Sequence, residues 1–427
     1  MALVCLCVVS GGYIYYRLRE RFDFFDAESE LESAVSEYRA SGMPWEAKDL
    51  MKGRTVAPED NAADLVRKAI AQFDLKKFNA EKEALLDLLD RKQLDAVDRR
   101  LAAYAPALEA LDPALKRASL DFGRDWDYGV HVELPEYAPI KQLVNTLCIR
   151  ARLRAARRED AAMAHDLSRA RRLTEMAGME PHLVTMLFRI ACERIVNDAV
   201  RRCAHGALKS GLERLRQVVE RPIMQPQLLY ALKGEAYIGI ATLRNERSGD
   251  RSVRDPFEIQ RSGLPSNWHW RGMMVRHLQV WTRAKREMDR FANDPIALGS
   301  ALNRIEAELS GRRGASYALA EIMFPHTQAV PAAVALHADR VATAALLQAL
   351  LVRADTGQLP DLLADIPGEW IDPFSRKPLL LRRKGDSILI YSVGPDGRDD
   401  GGVPRRKGDD LNGWDVVASH PPLPKRD

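Results

Sequence analysis

Leu143-Val-Asn-Thr-Leu147, Leu153-Arg-Ala-Ala-Arg-Arg-Glu-Asp160 and Ala161-Ala-Met-Ala164 decide the fold, because apolar residues recur there on both sides of a charged break. Leu143, Leu147 and Leu153 mark one helix, Arg158-Glu-Asp160 turns the chain, and Ala161, Ala164, Leu167 and Leu173 mark a second. Gly178 stops that helix and Pro181 opens a third, through Leu183, Leu187, Ile190, Ile195 and Val200. Glycine suits the left-handed end of a helix and proline its first turn. The texture from Ala138 to Ala204 is that of antiparallel helical hairpins of tetratricopeptide type, without that repeat's marker residues at its period.

Outward from this stretch the helical reading continues over 211–221, 226–244 and 268–292. Upstream, Leu94, Val97, Leu101, Tyr104, Leu108 and Leu111 form one apolar stripe, interrupted by Pro106 and closed by Asp112-Pro113. Downstream, Ala332 to Ala354 carries Val334, Leu336, Val341, Leu347, Leu350 and Leu351 with few charges. Such a helix must be buried on more than one side. Gly357-Gln-Leu-Pro360 ends it, and Pro378 to Arg383 and Ser387 to Val393 read as strands joined by Lys384-Gly-Asp386. The fold class is therefore mainly α, closing in a small α+β unit.

The length of 427 residues allows two or three domains, and 64 Lys and Arg against 60 Asp and Glu give a net charge of +4. That balance does not by itself call for a polyanionic partner. Of five cysteines, Cys192 and Cys203 lie roughly 16 Å apart on one helix and cannot bond, so buried free thiols are expected and not a disulfide framework. Residues 1–16 are apolar and are followed by Arg17, Arg19 and Arg21. As a helix they reach about 24 Å, short of a hydrocarbon core of roughly 30 Å, so they are either the apolar core of a signal peptide or, the reading adopted here, a truncated membrane anchor with an interfacial belt at Tyr13, Tyr15 and Tyr16. The positive-inside rule alone would leave the rest of the chain in the cytoplasm. Residues 17–60 are read as a stalk.

Chemistry-bearing residues fall in four places. Tyr391-Ser-Val-Gly-Pro-Asp-Gly397, Asp399-Asp-Gly-Gly402 and Asp409-Asp-Leu-Asn-Gly-Trp414 interleave Asp396, Asp399, Asp400, Asp409 and Asp410 with glycine. An oxygen-rich loop able to turn sharply suits calcium, and no imidazole or thiolate is there to favour zinc. Arg150, Arg154, Arg157, Arg158, Arg169 and Arg172, with Arg152 and Arg171, make a basic cluster on two consecutive helices, which either meets phosphates or anionic headgroups or is a solvated face. No aromatics stand among them to stack on bases, so nucleic acid is not expected. Asp125, Asp127 and His131, in a loop around Trp126, are either acid and base of a hydrolase or part of a surface loop. Trp268 and His269, after a polar loop from Asn245 to Ser266, either line a pocket or anchor a helix start. Phosphate-binding glycine loops, zinc-binding histidine pairs and nucleophile elbows are absent from the sequence.

The order from the long helix through Gly357…Pro360, Asp372-Pro-Phe374, the strand pair, Tyr391 to Gly397, and Asp410-Leu with Trp414 resembles the globular domain of the major pseudopilins of type II secretion systems, over about residues 333–418. That resemblance implies a calcium ion held by Asp396 and Asp410 with loop carbonyls, Asp399, Asp400 and Asp409 being possible substitutes. It also implies an extracytoplasmic, single-pass inner-membrane protein in a secretion-like or pilus-like assembly. In pseudopilins the long helix runs directly into the anchor, whereas here residues 17–330 intervene. The expected layout is an anchor over 1–16, a stalk over 17–60, a partner-binding helical domain over 61–330, an α+β domain over 331–420 and a tail over 421–427. Two other readings stay open, a hydrolase near Asp125, Asp127 and His131 and an anionic-surface binder through the arginines.

Overall fold

The computed structural model describes residues 29–52, 56–220, 225–248, 267–310, 329–404 and 414–423. It is mainly helical, with one three-stranded antiparallel sheet. Two compact units are present, one of Met1–Arg54, Arg124–Glu133 and Leu232–Thr327, the other of Thr55–Gly123, Leu134–Ala231 and Gln328–Asp427. The anchor expected over 1–16 lies outside the described residues.

The first unit holds α1 (29–40), α2 (Ala47–Leu50), most of α11 (Gln225–Ser248), α12 (Asn267–Arg290) and α13 (Pro295–Ser310). Residues 29–52 are packed and are not a free stalk. Tyr38 is buried with its hydroxyl donating to the Pro44 carbonyl at 3.2 Å. Arg244 lies over the Trp45 ring at 4.3 Å and donates to its carbonyl at 3.1 Å. α12 seats on α11 through His277, whose Nε2 is 2.8 Å from the Ala236 carbonyl and whose ring fills the space that a Cβ at Gly239 would need.

The second unit holds α3 (Ala63–Ala71), α4 (Leu75–Asp90), α5 (Leu94–Leu101), α6 (Ala105–Leu115), α7 (Tyr137–Ala156), α8 (Asp160–Ala177), α9 (Leu183–Ala204), α10 (Lys209–Val219) and α14 (Ala329–Thr356). The breaks between α7, α8 and α9 fall where the charged turn and Gly178-Pro181 predict. At Leu94 to Leu111 the single stripe is bent by a 3-10 turn over Ala102–Tyr104, and α6 runs past Asp112-Pro113 to Leu115. Pro106 sits in the first turn of α6, where a missing N–H breaks no helical bond.

β1 (Leu380–Lys384), β2 (Ser387–Ser392) and β3 (Val416–His420) follow in spatial order β1-β2-β3. Gly385, at φ +58, makes the hairpin turn that the sequence predicts. α14 ends at Gly357, φ +80, whose amide donates to the Arg353 carbonyl at 2.8 Å. α14 packs against α9 and α10 as well as against β2 and β3. Leu346, Leu347, Ile388, Ile390 and Ala418 consequently share one apolar core with Leu143, Leu147, Val196 and Val200. The chain re-enters the second unit at Gln328, close to the expected start at 331, and the segment from there shares its core with the helices of that unit. Among the described residues α14 alone is long and apolar enough to cross a membrane, and most of it is buried in this core.

Candidate functional site

The base of the Asp-Gly loop is organised by two buried carboxylates. Asp372, of the Asp-Pro-Phe motif, accepts through Oδ1 from the Phe374 amide (2.9 Å) and Ser392 Oγ (2.7 Å), and through Oδ2 from Ser375 Oγ (2.9 Å) and the Val393 amide (3.2 Å). Four donors compensate the cost of removing the group from water. Asp415 accepts from the Gly402 amide at 2.7 Å, Val403 at 3.2 Å and Asp400 at 3.4 Å. Burial pushes the Asp415 carboxyl up, and those amides oppose it. Gly394, at φ +70, lies against the Trp414 carbonyl so closely that a Cβ would collide with it. These contacts explain why Tyr391-Ser-x-Gly needs its serine and glycine.

Of the expected calcium ligands, Asp396 accepts from the Arg398 amide at 3.1 Å. Asp399 accepts from the Gly401 amide at 2.8 Å and the Tyr391 hydroxyl at 3.1 Å, with Arg382 3.6 Å away. Asp400 contributes its amide to Asp415. Asp409 and Asp410 lie outside the described residues. Among the described residues no group of three or more His, Cys, Asp or Glu is placed to hold a metal ion. The carboxylates of Asp396, Asp399 and Asp400 offer only oxygen, a donor set that fits a hard cation.

The arginine cluster is not a solvated face. Arg150 grips Asp166 with Nε (2.8 Å) and Nη2 (2.6 Å), and Arg154 reaches the same carboxylate at 2.8 Å. Arg169 pairs with Asp112 at 2.7 Å and donates to the Leu108 carbonyl, while burial lowers its pKa. Arg157 binds Asp98 at 2.7 Å and Asp95 at 3.1 Å, and Arg172 donates to the carbonyls of Arg117 and Ala118. Arg158 alone of the six named candidates is exposed, in the α7–α8 turn at φ +60.

Deeper in, Arg171 is fully buried, with Nη1 3.2 Å from Glu193 and Nη2 2.6 Å from Asn197 Oδ1. Arg189 Nε donates to Glu193 at 2.8 Å. Asn197 Nδ2 and Arg201 Nη1 each donate to Asp339 at 2.6 Å, and Arg201 also reaches Thr343 at 2.8 Å. This chain of bonds runs from α8 through α9 to α14 and fixes the register of α14. An isolated acid inside an apolar helical run, as at Asp339 between Leu336 and Val341, was the available signal for it.

The loop around Trp126 is a staple on α11. Asp125 accepts from the Asp127 amide at 3.0 Å, and Asp127 accepts from the Tyr237 hydroxyl, which burial and that bond push upward in pKa. Asn245 donates to the Asp127 carbonyl at 2.7 Å, and the Val130 amide to Thr242 Oγ1 at 3.0 Å. His131 Nδ1 is buried with no hydrogen-bond partner among the described residues. Asp125 is thus drawn into a cap and Asp127 into a bond with Tyr237. Trp268 and His269 fall on the first turn of α12, their side chains outside the described part, and the adjacent Trp270 donates to the Leu243 carbonyl as an anchor. Cys148, Cys192 and Cys203 are buried free thiols, and burial pushes Cys192 and Cys203 up to about 12. No protein-family model, curated protein or solved structure matches the chain.

Proposed function

We propose that the chain is a non-catalytic interaction protein, tethered through residues 1–16 to the inner membrane with its bulk outside, whose helical scaffold carries a pseudopilin-like module with a calcium-stabilised loop. The observation that carries this reading is the packing of α14 against an antiparallel three-stranded sheet whose base is tied by Asp372 and Asp415. Its chain order is that of the resemblance. α9 and α10 already cover α14, which favours a partner-binding component of a secretion-like or pilus-like assembly over its repeating subunit. The hairpin-like helices α7 to α10 are the partner surface in this reading.

Trypsin sites at Arg398, Arg405, Arg406 and Lys407 lie between the proposed ligands and make calcium readable. Calcium slows cleavage there in the full chain, chelator restores it, and an Asp396→Ala, Asp410→Ala double variant is cleaved at the chelated rate in both. Equal cleavage of wild type with calcium and with chelator would overturn the calcium assignment.

A further inference from the structure

At the end of β3, basic side chains from three elements meet. His420, the last residue of β3, and His205, which closes α9, have ring centroids 4.9 Å apart with planes inclined by 50°. Arg353, in the last turn of α14, brings Nη1 to 3.3 Å from His420 Nε2. A guanidinium only donates, so His420 Nε2 is the acceptor and the neutral ring carries its proton on Nδ1. The groups that face His420 are His205 from α9, Arg353 from α14 and Asp386 from the β1–β2 turn. Close in sequence to His205 and Arg353, Lys209 of α10 and Asp355 of α14 are already paired at 2.5 Å.

We propose that His205, His420 and Arg353 form a proton-operated latch joining β3 to the ends of α9 and α14. It is closed while His420 is neutral, and it opens when a proton on Nε2 turns the Arg353 contact from a hydrogen bond into a repulsion. A proton on His205 adds to that repulsion through the ring pair. Burial first, then His205 and Arg353, hold His420 to about 4 against an ordinary 6.5, with Asp386 opposing. Mild acid therefore favours the open form, in which His420 is exposed and takes up a proton more readily. Asp415 stands immediately before β3, so the loop base is expected to loosen with it. This latch does not depend on calcium.

The test is hydrogen exchange on the full chain at pH 7.5 and 5.0, corrected for the intrinsic exchange rate. Titration at 6.5 when open and about 4 when closed sets an upper limit of about thirtyfold on the loss of protection at pH 5.0. Residues 416–420 of wild type are expected to lose about tenfold, within that limit. His420→Gln, whose amide oxygen accepts from Arg353 without titrating, keeps its protection at both pH values, and His205→Gln loses less than wild type. A flat wild-type response, or a loss in His420→Gln equal to wild type, overturns the latch. If His420→Gln does not fold at pH 7.5, His205→Gln decides, and a loss equal to wild type overturns it.

Discussion

Removing the Arg171 guanidinium should be among the most damaging single changes in the second unit. Arg171→Ala leaves Glu193 paired with Arg189, removes the guanidinium that donates to Asn197 Oδ1 and empties the volume of a fully buried side chain. Truncating one member of a buried pair typically costs about 3 to 5 kcal/mol, because the other charge stays buried. With a urea slope of about 2 to 3 kcal/mol per molar, the unfolding midpoint should fall by about 1 to 2.5 M in far-UV circular dichroism. Arg171→Met keeps most of the packing volume and separates lost charge pairing from cavity formation. Arg158→Ala, in the exposed turn, should stay within about 0.5 kcal/mol of wild type. If Arg171→Ala also stays within about 1 kcal/mol, the interior network does not hold the helices in register, and the reasoning fails.

Other outcomes follow from the same contacts. Leu187 is 38% exposed, so Leu187→Asp should cost under about 1 kcal/mol, whereas Val196→Asp on the same helix, fully buried, should cost about 3 to 5 kcal/mol in the same assay. Gly394→Ala must hold φ near +70 and displace the Trp414 carbonyl, costing about 2 kcal/mol or more by urea unfolding. Burial holds His277 to about 4 against 6.5, so its contribution is complete above 6.5 and is lost as pH falls towards 4, up to about 3 kcal/mol. Exchange protection in α11 and α12 should fall over that window in wild type. A flat profile from pH 7.5 to 4.5 would contradict the buried neutral ring.

Much of the fold is legible in the sequence because its signals are local. Helical spacing, Gly178, Pro181 and Gly357 locate the helices, and Gly385 locates the hairpin. The partners are not local. Arg150 and Asp166 are 16 residues apart, Arg157 and Asp98 are 59, and Asn197 and Asp339 are 142, so spacing shows the arginines but not the acids that hold them. Leu187 follows the helical period yet sits on the outward side of α9, since a period shows that a stripe exists and not how wide its buried face is. The near absence of charge in α14 foretells burial, but only packing shows that α9, α10 and the sheet all cover it. Asp372, which ties the loop base, stands in a motif that the sequence displays, whereas Asp415 follows the last such motif and is not singled out by it. The neighbouring aspartates 396, 399 and 400 drew the metal reading by number, while the single buried carboxylates hold the main chain.

The central claim is that α14 and its sheet are built into the helical core and do not form an independent domain. Native-state hydrogen exchange of the full chain in increasing urea at pH 7.5, where the latch is closed, tests it directly, by comparing residues 388–391 of β2 with 143–147 of α7 and 196–200 of α9. The account predicts that all three exchange with one common free energy and one common urea dependence, and that Asp339→Asn lowers all three together. A sheet that opens on its own, with α7 and α9 unaffected by Asp339→Asn, would contradict it.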